Sequence, residues 1–155
     1  MLKIYIDNCC YGRPFDSPSS PSIVFESTAK IFIQSLVLNN ELTLVNSFVL
    51  YEEIKAIPNK ENRRLILKFL DNATVYVAKD KYADILTLAM EIMELGVKYM
   101  DASHIACAVL ASCDYFITTD KRLLKYKSDR LNIINPVDFI RIWEGDNLCL
   151  QMNRQ

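Results

Sequence analysis

Apolar positions along the chain follow two periods, short β-type runs and longer stretches at helical spacing. Leu2 to Ile6 is a compact apolar run that stops abruptly at Asp7. Leu42–Val45, Thr74–Ala78, Tyr115–Thr118 and Leu131–Ile134 read as further strands. Between the first two strands, Ile23, Ala29, Phe32, Ile33, Leu36 and Val37 predict a helix over 23–38, closed by Asn39 and Asn40. Ser47 opens a helix that must stop near Pro58, and Arg63–Leu70 predicts a short one. Tyr82–Leu95 is a longer helix with Gly96 at its C-terminal position, followed by the alanine-rich Asp101–Ala111. Asp120–Tyr126 predicts another short helix, and Pro136–Trp143 closes the fold. Gly12–Pro21, with three prolines and three serines, is a turn-rich connection, and Gln151–Gln155 reads as a frayed tail.

Strands separated by helices imply an α/β domain, three layers in α/β/α order around a parallel sheet of about five strands. No linker or repeat divides the chain, so one domain over residues 1–145 with a C-terminal tail over 146–155 is expected. With 155 residues, of which 51% are apolar, the chain is long enough to bury a substantial core. Only three glycines are present and neither GxGxxG nor GxxxxGK[ST] occurs, which argues against a glycine-cradled nucleotide site. The net charge of −1 gives no whole-chain support for nucleic-acid binding, so any such surface must be local. Cys9, Cys10, Cys107, Cys113 and Cys149 form no CxxC pair and are odd in number. With no leader and no apolar run long enough to span a membrane, they predict reduced thiols in a cytoplasmic protein.

The informative feature is where the carboxylates fall. Asp7 follows the first strand and Asp120 the fourth, and ligands of open parallel sheets sit outside the carboxyl ends of the strands. Asp101 opens the helix feeding the fourth strand, and Glu52 and Glu53 lie in the helix after the second. Such oxygen donors suit Mg²⁺ or Mn²⁺, which can polarise a phosphoryl oxygen and activate water. Each acid also has a plainer reading. Asp101 and Asp120 stand where helices begin and could serve as N-caps, while Glu52 and Glu53 could be a solvated helix face.

The opening run Ile4-Tyr5-Ile6-Asp7-Asn8-Cys9-Cys10, with Arg13-Pro14-Phe15-Asp16 behind it, resembles that of PIN-domain proteins of the VapC-like toxin type. Met100-Asp101-Ala102-Ser103-His104-Ile105-Ala106-Cys107-Ala108 is similar to their third acidic motif. Cys113-Asp114-Tyr115-Phe116-Ile117-Thr118-Thr119-Asp120 is similar to their fourth, and Ile134-Asn135-Pro136-Val137-Asp138-Phe139 to their exit. The resemblance spans Lys3 to Phe139 and implies a PIN-like fold and a Mg²⁺-dependent ribonuclease, the toxin of a toxin–antitoxin pair. It implies catalytic Asp7, Glu53, Asp101 and Asp120, with Glu52 as the alternative second acid. Asp7, Asp101 and Asp120 would hold Mg²⁺ (or Mn²⁺), and Thr118 would hydrogen-bond a ligating carboxylate. The expected partners are an RNA substrate, an antitoxin protein over the groove and a second copy of the chain as a homodimer. The turn Gly12–Pro21 is shorter than the resemblance leads one to expect, and Asp16 is assigned no role.

Lys121, Arg122, Lys125, Lys127 and Arg130 follow Asp120 closely. Lys121, Arg122 and Lys125 are the candidate RNA-binding residues, since affinity for nucleic acid is mostly backbone electrostatics; the plainer reading is a solvated helix face. Arg63, Arg64 and Lys68 could extend that surface. His104, the single histidine, lies one helical turn after Asp101 and reads as a packed or hydrogen-bonded residue rather than an acid or base. Cys9 and Cys10 read as buried small residues with no activated thiol. Two other functions compete with the nuclease. One is a catalytically silent RNA-binding or scaffold protein on the same fold. The other is a receiver-type signalling module, which would need a lysine before Pro136 where Asn135 stands.

Overall fold

A computed structural model describes residues 1–12 and 19–152. Arg13, Pro14, Phe15 and Asp16 of the opening motif lie outside the described residues. The elements run β1 (Lys3–Ile6), α1 (Asn8–Gly12), α2 (Pro21–Leu38), β2 (Thr43–Ser47), α3 (Phe48–Lys55), α4 (Lys60–Leu70) and β3 (Val75–Val77). They continue with α5 (Tyr82–Met93), α6 (Tyr99–Leu110), β4 (Tyr115–Ile117), β5 (Asn132–Ile134) and α7 (Pro136–Met152). Single 3₁₀ turns lie at Lys79–Lys81 and Leu123–Lys125.

The five strands form one all-parallel sheet in the order β3-β2-β1-β4-β5. Ile4, Tyr5 and Ile6 are all buried although successive side chains point to opposite faces, so helices must cover both sides of β1. Leu44 and Val45 of β2 and Phe116 and Ile117 of β4 extend this double-sided core. α5 packs along α6, and α2 along α7. From β1 the chain moves outward to β2 and β3, then returns to lay β4 on the other side of β1. The order therefore reverses between β1 and β4, which opens a crevice at their carboxyl ends. This order is not the 2-1-3-4-5 of receiver domains, and the signalling reading falls with it.

Three expectations need correction. The stretch Asp120–Tyr126 is not a helix; after Asp120 the chain makes only the 3₁₀ turn Leu123–Lys125. The closing helix does not end at Trp143 but continues to Met152, across the boundary expected at residue 145. A short helix, α1, follows Asp7 at once and was not foreseen. The caps that were read locally do form. Ser47 Oγ accepts the Leu50 N–H at 3.1 Å to start α3. Gly96 takes φ +90° just beyond α5, a conformation that glycine adopts without strain.

Candidate active site at the carboxyl edge of the sheet

Asp7 ends β1 with its backbone N–H still bonded to Ile117 O of β4 at 2.9 Å, so its position is fixed by the sheet. Its carboxylate is buried among β1, α1 and the end of β4. Oδ2 accepts hydrogen bonds from Thr118 Oγ1 at 2.8 Å and from Cys9 Sγ at 3.1 Å. Oδ1 has no hydrogen-bond partner among the described residues. Burial pushes the Asp7 carboxyl well above the usual carboxylate range, the neighbouring Cys9 adds to the rise, and the Thr118 bond opposes it.

Thr118 ties two acids together. While its hydroxyl donates to Asp7, the same oxygen accepts the Asp120 N–H at 3.1 Å. Asp120 is therefore held by the loop after β4. Its Oδ1 accepts the Arg122 N–H at 2.7 Å and its carbonyl the Leu124 N–H at 3.0 Å, a cap on the single 3₁₀ turn that follows rather than on an α-helix. Asp101 sits in the first turn of α6, whose N-cap is Lys98. Burial raises the Asp101 carboxyl, and the negative charge of Asp120 raises it further.

Glu53 completes the group. The α3 cap at Ser47 sets the phase of that helix, and Glu53 Oε2 lies 2.5 Å from His104 Nε2. Burial alone would raise the Glu53 carboxyl, but the hydrogen bond and charge of His104 outweigh it and the net shift is downward. His104 is itself held by a buried chain, its Nδ1 2.8 Å from Tyr5 Oη, which lies 2.8 Å from Ser47 Oγ. Glu53 acts electrostatically on both Asp7 and Asp101. Glu52 points elsewhere, pairing with Lys55 at 3.6 Å. The histidine is thus the hydrogen-bonded residue its position suggested.

Cys9 departs from expectation. It is half-buried and stands against Asp7 and Thr118, with its Sγ accepting the Thr119 N–H at 3.4 Å. Hydrogen bonding from Cys10 and from the Thr118–Thr119 segment brings its thiol down to about 5 against the opposing effect of burial. The thiol and the Asp7 carboxyl lie in direct contact through the Sγ–Oδ2 hydrogen bond.

The chain has the layout of a known fold. No protein-family model and no curated protein matches it. A solved structure titled as VapBC2 from Rickettsia felis bound to a DNA fragment from their promoter matches with TM-score 0.52. The match covers 87% of this chain and 98% of that one at 15% identity. The fold is that of the VapC-like PIN domains. On this PIN-like frame, Asp7 and Asp120 stand at the carboxyl edge of the sheet, Asp101 lies in the first turn of α6, and Glu53 of α3 is near enough to act on Asp7 and Asp101.

Of the basic candidates, Arg122 and Lys125 line a 240 Å³ cleft together with Asp101, while Lys121 is exposed outside its lining. Arg63 and Arg64 are engaged locally. Arg63 Nη1 donates to Ile57 O at 3.0 Å, and Arg64 pairs with Glu61 at 2.6 Å. Among the described residues, no three carboxylate, imidazole or thiol groups converge closely enough to enclose an ion by themselves. The donor chemistry nevertheless fits a hard divalent cation. The oxygens are carboxylate, Asp7 Oδ1 is free of hydrogen bonds, and a cation would offset the strain of charging Asp7 and Asp101. Mg²⁺ is held in this way, by one or two carboxylates with water and substrate oxygens completing its shell. No described helix is long and apolar enough to cross a membrane.

Proposed function

We propose that this chain is a metal-dependent endoribonuclease that hydrolyses RNA phosphodiester bonds, the toxin of a toxin–antitoxin pair. The observation that supports the proposal is the placement of Asp7 and Asp120 at the carboxyl edge of the sheet, with Asp101 and Glu53 near enough to act on them, beside a cleft carrying Arg122 and Lys125. Asp7, Asp101 and Asp120 would hold Mg²⁺ or Mn²⁺, with water and substrate oxygens completing its shell. When bound, the cation supplies Lewis-acid polarisation of the phosphoryl oxygen and lowers the pKa of an attacking water. Thr118 orients the Asp7 carboxylate and pins Asp120 beside it. His104 keeps Glu53 ionised and fixes its rotamer, so that Glu53 orients the attacking water from the far side of the crevice. Arg122 and Lys125 hold the RNA backbone by charge. A partner protein that covers the crevice keeps the activity in check; this extends to the present chain what the two-component VapBC2 structure suggests.

The test is cleavage of labelled single-stranded RNA with Mg²⁺, with Mn²⁺ and with excess chelator. Cleavage that needs the cation and is lost in Asp7→Asn and Asp120→Asn, while both variants melt cooperatively, supports the proposal. Undiminished cleavage in chelator would overturn the metal-dependent reading. An unsubstituted chain that binds RNA but never cleaves it would favour the silent RNA-binding alternative.

A further inference from the structure

We propose that the apolar groove beside Glu53 receives one nucleobase of the RNA strand whose phosphate lies on the acids; this rests on the ribonuclease reading above. The groove encloses about 450 Å³ between α3 and the first turns of α5 and α6, within the range of ligand clefts. Three aromatic rings, Phe48, Tyr82 and Tyr99, form much of its wall. Phe48 and Tyr82 stand 6.4 Å apart at a tilt of 56°. The rings are set on three helices while their faces stay open, with Tyr82 50% and Tyr99 43% exposed. Pre-ordered, accessible aromatic faces are what base stacking requires.

Charge decides which part of a nucleotide enters. No lysine or arginine lines the groove, and Glu52 and Glu53 are its charged members, so a phosphate is repelled from it. The first turn of α6 separates the two depressions. Tyr99 and Met100 line the groove, while the next residue, Asp101, lines the cleft of Arg122 and Lys125. A single strand laid across this ridge places its backbone over the cations and the acids and turns one base into the groove. Carboxylates only accept hydrogen bonds, so Glu52 on the groove wall favours bases that present an exocyclic amine. Adenine, cytosine and guanine carry one; uracil does not.

The test uses Asp120→Asn protein with Mg²⁺, which binds without cutting, and short single-stranded RNAs read by fluorescence anisotropy. An abasic site is moved through the RNA one position at a time. One position should weaken binding roughly tenfold. Tyr99→Ala should weaken binding of the intact RNA to the same extent and bind the abasic RNA no worse than the parent does. Tyr99→Phe, which keeps the ring, should retain most of the affinity, and uracil at the sensitive position should bind more weakly than cytosine. If Tyr99→Ala weakens the intact and abasic RNAs by equal factors, the proposal is overturned. Binding indifferent both to every abasic position and to Tyr99→Ala also overturns it, and leaves the groove to an apolar segment of a protein partner. Failure of the ribonuclease reading shows separately, as absence of cleavage by the unsubstituted chain.

Discussion

Replacing Thr118 with valine removes one oxygen from a fully buried position and changes the side-chain volume little. That oxygen makes two bonds, donating to Asp7 Oδ2 at 2.8 Å and accepting the Asp120 N–H at 3.1 Å. A hydrogen bond to a charged group contributes roughly 1.5–3 kcal/mol, and a neutral one about 1 kcal/mol. Asp7 holds its proton more tightly than an ordinary carboxylate, and water can reach half-buried Asp120, so both contributions fall toward their lower ends. We expect a loss of about 2 kcal/mol, hence a melting temperature lower by roughly 4–8 °C for a domain of this size. Cation affinity, read from the rise in melting temperature along a Mn²⁺ titration, should fall roughly 10–100-fold. Losing the Thr118 bond also raises the Asp7 carboxyl further, so the Mn²⁺ response should need a higher pH. Thr118→Ser restores the hydroxyl and loses a buried methyl. It should cost about 1 kcal/mol of stability yet keep wild-type cation affinity. A valine variant with undiminished Mn²⁺ affinity, or a serine variant as impaired as valine, would refute the role of this hydroxyl.

Three further outcomes follow from the same geometry. Because burial holds the folded Asp7 carboxyl above its ordinary value of 3.8, the metal-free protein loses stability as pH rises from there through the folded value. Melts in chelator across that window should show this slope reduced in Asp7→Asn, and equal slopes would mean that Asp7 is not the group titrating. Glu53→Gln should abolish RNA cleavage while Glu52→Gln keeps most of it, since adjacent helix positions point about 100° apart; equal activity in both would remove α3 from the site. Replacing Lys121, Arg122 and Lys125 with alanine should weaken RNA binding across all sequences and flatten its salt dependence by about one unit of slope per lost contact. An unchanged salt slope would make that surface a solvated one.

The strands were legible because apolar side chains on both faces of β1, β2 and β4 must read as short continuous runs. Asp7 and Asp120 were noticed because each follows such a run, and Asp101 because it lies in the first turn of α6. Glu53 was put ahead of Glu52 by resemblance, and the structure pairs Glu53 with His104 and Glu52 with Lys55. The stretch after Asp120 was misread because its composition suits a helix and Asp120 does cap a turn there, but the chain leaves that turn at Tyr126, whose backbone is extended. The end of α7 was read as tail because Leu148 and Leu150 remain exposed, so no buried stripe marks that turn as helical. α1 is five residues long, too short to show a period. The chain from Ser47 through Tyr5 to His104 joins residues 42 and 99 positions apart, and no local pattern carries that information. The aromatic groove beside Glu53 is hidden for the same reason, its three rings coming from three different helices.

The strand order also governs when the crevice can exist. β1 is the middle strand and is synthesised well before its neighbour β4, which begins at Tyr115. A nascent chain that has passed β3 carries Asp7 but has neither Thr118 nor Asp120 to set beside it. At about 5–20 residues per second, that interval lasts roughly 6–25 s. Until then Asp7 belongs to no assembled site, and no truncated product ending before β4 can form one. The arrangement of Asp7, Thr118 and Asp120 therefore comes into being late in synthesis, as a property of strand order rather than of any one residue.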